Sequence, residues 1–246
     1  MRYLILTDIH SNSEALAAVL DRASGAYDQV LCCGDIVGYG ADPNPAADWV
    51  RTHCKTVIRG NHDKACAGGE DLEWFNALAR ASALWTQAVL TPENAAWLAS
   101  LPRGPAMIGD FQILHGSPLD EDEYLVTQTD ASQLLGYLET RVSFIGHTHL
   151  QGGFSLHRGG VRRIPPVPPA AELKELDLEP DAYYLINPGS VGQPRDGDPR
   201  AAFVIYTPGQ RRVAYHRVPY DIDGAQRKIR DAGLPDLLAL RLATGQ

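Results

Sequence analysis

The chain has little cysteine, no long apolar run and no excess of basic charge. Its four cysteines among 246 residues, Cys32, Cys33, Cys54 and Cys66, form no C-x-x-C pair and no zinc-finger spacing. That excludes a disulfide scaffold and a thiolate-built zinc module, and Cys32 and Cys33, set in an apolar run, read as reduced structural thiols. No stretch approaches the roughly 18 apolar residues of a membrane span. The chain runs straight into a strand pattern at Tyr3 rather than into the charged and apolar segments of a secretory leader. A cytoplasmic protein is the expectation. The net charge is −8, and residues 1–123 carry 8 Lys+Arg against 17 Asp+Glu, the remainder 14 against 13. A general nucleic-acid surface needs a basic face, so this balance argues against one. A small phosphorylated substrate stays compatible, because bound cations reverse a local field.

What is present is an alternation of short apolar runs and helical patterns. Strands are expected at residues 3–7, 29–33 and 55–59, with helices at 13–24 and after Pro45. The first helix carries Ala15, Leu16, Val19 and Leu20 as its apolar stripe. Strands separated by helices imply a largely parallel sheet. Residues 71–101, with Trp74, Phe75, Trp85 and Trp97, read as helical; strands follow at 111–114 and 142–145 with a helix near 130–139. Residues 153–157 and 161–164 look like a hairpin through Arg158-Gly159-Gly160. The Pro-rich residues 165–169 cannot lie in a central strand. Strands near 182–186, 201–206 and 211–218 suggest antiparallel pairing, and two helices, after Asp221 and near 235–243, follow. The expectation is one domain over residues 1–246: an α/β, four-layer α/β/β/α sandwich of two sheets with helices outside.

The chemistry gathers at the strand ends. Five apolar runs end in Thr7-Asp8-Ile9-His10-Ser11-Asn12, Gly34-Asp35, Gly60-Asn61-His62-Asp63, His115-Gly116-Ser117 and Gly146-His147-Thr148-His149. In an open α/β sheet, ligands collect at the carboxyl ends of the strands, so five separated segments converge on one site. Residues i and i+2 of an extended segment point the same way, which lets Asp8 and His10, or His147 and His149, grip one ion together. Glycines at 34, 60, 116 and 146 allow sharp turns and close approach. Each segment alone has a plainer reading as a turn or a satisfied polar pair. All five in one chain, holding five of the eight histidines, point to a metal site. Carboxylate, imidazole and amide donors without thiolate suit Mn, Fe or Zn.

The order D-x-H, G-D, G-N-H-[DE], H, G-H-x-H resembles the calcineurin-like metallophosphoesterase superfamily over residues 3–150. The segment Asn187-Pro188-Gly189-Ser190-Val191-Gly192-Gln193-Pro194-Arg195 is similar to a bacterial branch that includes small phosphodiesterases and a diadenosine tetraphosphate hydrolase. The resemblance implies one metal on Asp8, His10 and His149, a second on Asn61, His115 and His147, and Asp35 bridging both. It implies His62 as the catalytic residue beside the scissile phosphate, with Asp63 orienting its ring. Two divalent or trivalent transition-metal ions, Mn foremost, are the implied cofactors. Ser11 departs from the glycine of many relatives, and a small residue should fit there.

Two cations lower the pKa of a bridging water and clamp a phosphate, so attack by metal-bound hydroxide is the expected mechanism. Arg195, in a Pro/Gly-rich loop, either holds substrate phosphate or is a solvated loop arginine. Tyr39 reads as packing over its loop, and the aromatics of residues 71–101 either pack in the core or cap the site. The expected function is hydrolysis of a phosphodiester or phosphoanhydride in a small soluble molecule such as a dinucleoside polyphosphate. The alternatives are a phosphomonoesterase or protein phosphatase, a nuclease, which lacks its basic footprint here, and a non-catalytic scaffold, which would have lost ligands.

Overall fold

A computed structural model describes residues 1–69 and 72–246; residues 70 and 71 and the Trp74 side chain lie outside the described residues. The chain runs β1 (Tyr3–Leu6), α1 (Ser13–Ala23), β2 (Gln29–Cys32), α2 (Pro43–His53), β3 (Cys54–Val57), α3 (Asn61–Cys66), α4 (Ala77–Val89) and α5 (Pro92–Ser100). It continues with β4 (Ala106–Ile108), β5 (Phe111–Ile113), α6 (Gln128–Gln133), β6 (Val142–Phe144), β7 (Gly152–His157), β8 (Gly160–Ile164) and β9 (Leu173–Asp177). Then come β10 (Tyr183–Asn187), β11 (Ala201–Thr207), β12 (Arg212–Val218), α7 (Ile222–Asp231) and α8 (Asp236–Leu240).

Two six-stranded sheets form, in the orders β3-β2-β1-β11-β12-β9 and β4-β5-β6-β10-β7-β8. In the first, β1, β2 and β3 are parallel and β11 joins β1 antiparallel. In the second, β5, β6 and β10 are parallel, and the β7–β8 hairpin pairs in register from Gly153↔Ile164 to His157↔Gly160. The sheets face each other through one apolar layer in which Ile5, Leu31 and Val204 meet Phe111, Phe144 and Ile186. Helices cover the outer faces. The stripe expected of α1 is present, with Ala15, Leu16 and Val19 buried against β11, while Leu20 is half-buried. This is the α/β sandwich flanked by helices. Among the described residues no helix is long and apolar enough to cross a membrane.

Several boundaries differ from expectation for local reasons. α2 begins at Pro43 and contains Pro45, because prolines in a first turn forfeit no intrahelical donor. Within residues 71–101 the described part is a 3-10 turn at Leu72–Trp74 and two helices, broken where Thr91 caps α5 and Pro92 opens it. The segment near 130–139 divides into α6 and a 3-10 turn at Leu135–Tyr137. Two strands lie outside the expected set: β4, Ala-Met-Ile, is apolar but only three residues long, and β9 is a charged sheet edge. β9 pairs only with β12, and its Leu-Lys-Glu-Leu-Asp carries charge on an edge open to solvent.

Candidate active site

The five segments do meet. β1, β2 and β3 deliver Asp8, His10, Asp35 and Asn61 from one sheet, and β5 and β6 deliver His115, His147 and His149 from the other. Ligand atoms of Asp8, His10, Asp35 and His149 lie within 4.8 Å of one another, as do those of Asp35, His115 and His147, so Asp35 belongs to both groups. Its Oδ2 is 3.5 Å from Nε2 of His10 and 3.5 Å from Nε2 of His115. Asn61 Oδ1 sits 3.3 Å from His115 Nε2.

The convergence does not come from extended backbone. Asp8, His10, Asp35, His147 and His149 all have positive φ, between 48° and 65°, and Ser11 and Tyr39 share that conformation. Of the eight described non-glycine residues with positive φ, only Arg211 lies outside this region. Each costs of order 1 kcal/mol or more, and such strain collects at functional sites. Ser11, at φ 53°, stands where relatives' glycine is natural. Gly60 and Gly146 are required by space: a Cβ would fall 2.1 Å from Asp35 Oδ1 at the first and 2.1 Å from Thr7 Oγ1 at the second.

Carbonyl oxygens fix every imidazole. Nδ1 of His10, His115 and His149 donates to the carbonyls of Val37, Cys33 and Gln193 at 3.0, 2.8 and 2.6 Å, so each presents Nε2 to the cluster. His147 is reversed: Nε2 donates to Asp122 O at 3.1 Å, leaving Nδ1. Outer partners of this kind set tautomer and orientation at metal sites. The 187–195 segment braces the loops. Asn187 donates to Gly146 O and Thr148 Oγ1, Ser190 to Asp8 O, and Gly192 N to Asp8 O.

The field is that of a cation site. Burial pushes Asp8 up to about 7 against the pull of His115. Burial also presses on Asp35, but His115, His62 and His10 together hold it well below the usual carboxylate range. Burial lowers His147 to about 3 and His62 to about 4. His115 goes the other way, to about 10, because Asp35 and Asp8 outweigh its burial. The two carboxylates thus favour positive charge in this cluster. Buried carboxylates, imidazoles and an amide with lone pairs turned inward fit hard or borderline divalent ions.

His62 is buried beside the cluster, its ring 4.9 Å from that of His10, and Nδ1 has no hydrogen-bond partner. Asp63 does not orient that ring. Its Oδ1 accepts from the main-chain N–H groups of Ile36 and Val37, and its Oδ2 from that of Gly60, so it ties two ligand loops together. A carboxylate three residues into α3 caps backbone donors more readily than it reaches its neighbour's ring. Arg195 has its guanidinium carbon 5.5 Å from the Tyr39 ring centre and donates to Gln193 Oε1 at 3.0 Å; among the described residues it forms no ion pair, and its buried Nε has no partner. Tyr39 does more than pack over its loop: its ring borders the site against those of His10 and His62 and lines the cleft. Of the aromatics expected between 71 and 101, Phe75 reaches the site, 5.2 Å from His62, whereas Trp85 and Trp97 pack against the core. Tyr124 and Asp122 join the site without any signal in the sequence. They lie in the loop after β5, whose Ser117–Tyr124 run is acidic and aperiodic, and nothing in it announces contact with His147.

Buried carboxylate–imidazole clusters at the carboxyl ends of two stacked sheets, opening on a cleft, define a metal-dependent hydrolase. Residues 1–210 match the calcineurin-like phosphoesterase superfamily domain, and the chain belongs to that superfamily. It is therefore a phosphoester hydrolase of a family that works with divalent metals. An uncharacterized protein of Methanocaldococcus jannaschii is 36% identical over 259 residues, covering 98% of this chain and 97% of that one. The crystal structure of a metallophosphoesterase from Sphaerobacter thermophilus superposes with a TM-score of 0.88 at 39% identity, over 100% of this chain and 99% of that chain. A hypothetical protein from Pyrococcus horikoshii OT3 shares the fold, with a TM-score of 0.79 at 19% identity over 100% and 98%.

Proposed function

We propose that the protein is a cytoplasmic dinuclear phosphoesterase, with Mn foremost among its metals, acting on phosphodiester or phosphoanhydride bonds of a small soluble substrate. A dinucleoside polyphosphate is the specific candidate. The observation that carries this reading is the position of Asp35, equidistant from His10 and His115 and common to both ligand groups. Asp8, His10 and His149 with Asp35 would hold one ion, and Asn61, His115 and His147 with Asp35 the other. When bound, such a pair activates water near neutral pH and offsets charge on the phosphate.

The chain's own residues supply the rest. Arg195 would donate to a phosphate oxygen; in support, it has no ion pair among the described residues, and its charge is felt by Asp8, His10, His62 and His149. His62, neutral with its pKa near 4, has one ring N–H to donate to a phosphate oxygen or the leaving oxygen. Tyr39, Phe75 and Tyr124 line the cleft beside them. The four free thiols accord with a reducing compartment. The test compares kcat/KM on diadenosine tetraphosphate, a chromogenic diester and a chromogenic monoester, in the Mn²⁺-loaded protein. Preference for the monoester with the dinucleotide untouched would replace this reading by a phosphomonoesterase.

A further inference from the structure

The cleft in front of His62 has more structure than phosphate chemistry alone requires. It holds about 210 Å³, below the roughly 300–1,000 Å³ of pockets that enclose a whole drug-sized ligand, so it suits one part of a substrate. Its floor is Asn61, His62 and His147, the two candidate ligands and the candidate donor. A substrate group that fills it would lie next to the phosphate held at that floor.

Its walls are aromatic and come from separate elements. Phe75 leads into α4 and meets the His62 ring edge-on at 79°. Tyr124, in the loop after β5, lies over His147 with ring centres 3.9 Å apart. Phe75 and Tyr124 therefore flank the floor, each leaning on a different histidine. Tyr124 remains 53% exposed, a large ring left in solvent beside a buried site. Arg195 lies close enough to the Tyr124 and Tyr39 phenols to offset part of the upward push of burial on both.

Two polar side chains complete the lining. Asp122 spends Oδ2 on Lys64 Nζ at 3.1 Å, while its buried Oδ1 has no partner. Asn76 spends Oδ1 on the main-chain N–H groups of Leu78 and Ala79, so what it offers the cleft is the Nδ2 donors. A flat ring with one amino donor and one ring acceptor matches one carboxylate oxygen, one amide and aromatic walls.

We propose that this cleft is a nucleobase subsite, in which an amino-bearing base stacks on Phe75 and Tyr124 and gives its exocyclic N–H to Asp122 Oδ1. The assignment rests on the phosphoesterase reading of the same site and names the group on its substrate. Stacking on an aromatic side chain is worth roughly a tenfold change or more in affinity per base on alanine substitution.

The experiment is calorimetric binding of adenosine 5′-monophosphate, inosine 5′-monophosphate, ribose 5-phosphate and inorganic phosphate to the Mn²⁺-loaded protein. In the native protein the adenine nucleotide should bind about tenfold or more tighter than ribose 5-phosphate. Phe75→Ala and Tyr124→Ala should each cut that ratio about tenfold, and Phe75→Trp, which keeps a stacking face and guards against a folding effect, should restore it. Asp122→Asn should erase the preference for the adenine over the inosine nucleotide. A native protein that binds ribose 5-phosphate as tightly as the adenine nucleotide, or a ratio indifferent to Phe75→Ala, overturns the subsite while hydrolysis of a chromogenic diester still upholds the phosphoesterase. Absence of any metal-dependent hydrolysis overturns both.

Discussion

His10 and His149 turn Nε2 toward each other across 3.1 Å, their rings stacked with planes 29° apart. Both Nδ1 protons are given to carbonyl oxygens, so both Nε2 atoms present lone pairs. Two facing acceptors repel. Burial holds both imidazoles well below the usual histidine range, so a shared proton is a poor remedy. A cation that draws on both lone pairs turns the repulsion into coordination. The fold thus stores an unfavourable contact that a bound metal would relieve.

Metal should therefore act on stability as well as on rate. Chelation is expected to abolish hydrolysis of a chromogenic diester and lower the unfolding midpoint, with Mn²⁺ restoring both. At a free metal concentration of about 100 Kd the expected stabilisation is about 2.7 kcal/mol per site. Scanning calorimetry with and without Mn²⁺ checks it; an unchanged midpoint together with unchanged activity after thorough metal removal would sink the metal reading.

Roles at the centre separate by metal content. His62→Ala should keep near-normal metal and lose about 10²- to 10⁴-fold in kcat, the usual cost of a proton donor or charge stabiliser. Asp35→Ala should lose metal and rate together, because its carboxylate serves both ligand groups. Metal analysis beside kinetics decides, and the reverse pattern would exchange the two roles.

Much of this site was legible because its residue types are costly anywhere else. Buried Asp8, Asp35, His115 and His147 have few uses apart from ions or catalysis, and each follows a strand whose apolar run is easy to see. The geometry was not legible. The i, i+2 pairs converge through left-handed backbone at Asp8, His10, His147 and His149, which no residue type announces. The groups that orient the imidazoles are carbonyls of Val37, Cys33, Gln193 and Asp122, and a carbonyl has no sequence signature. Asp63 illustrates the same limit, since the family resemblance implied a contact with the His62 ring and backbone donors took the carboxylate instead. The edge strand β9 was missed because solvent on one side relaxes the apolar pattern, and β4 because three residues are too few to show a period.

Gly38 should prove as sensitive as a catalytic residue. Its φ is +86°, and a Cβ there would fall 2.5 Å from His62 Nδ1. Gly38→Ala is expected to displace the His62 ring, and misplacement of about 1 Å costs on the order of 10²-fold in rate. Metal content should hold, because His62 is not in either ligand group. Activity within twofold of the native protein would show that His62 has room the structure denies it.

The loop that supplies Asp122 and Tyr124 depends on Glu121, and that dependence has a pH signature. Glu121 takes a bidentate contact from Arg59, at 3.0 and 2.8 Å, and a longer one from Lys64 at 3.4 Å. Burial pushes its carboxyl up, but Arg59 and Lys64 outweigh that and leave it below the usual glutamate range. A carboxylate whose pKa is lower in the folded state releases its proton more readily there than in the unfolded chain. Its stabilisation is thus fully present above the unfolded value of about 4.5 and fades as pH falls through the lower folded value. Glu121→Gln should cost about 1–3 kcal/mol near pH 7, the range for weakening a part-buried, charge-assisted contact. The gap between native and variant midpoints should close progressively below about pH 4.5. Denaturant melts of both proteins from pH 3 to pH 8 measure it. A gap that persisted undiminished at the acid end would mean that Glu121 holds the loop by shape and not by charge.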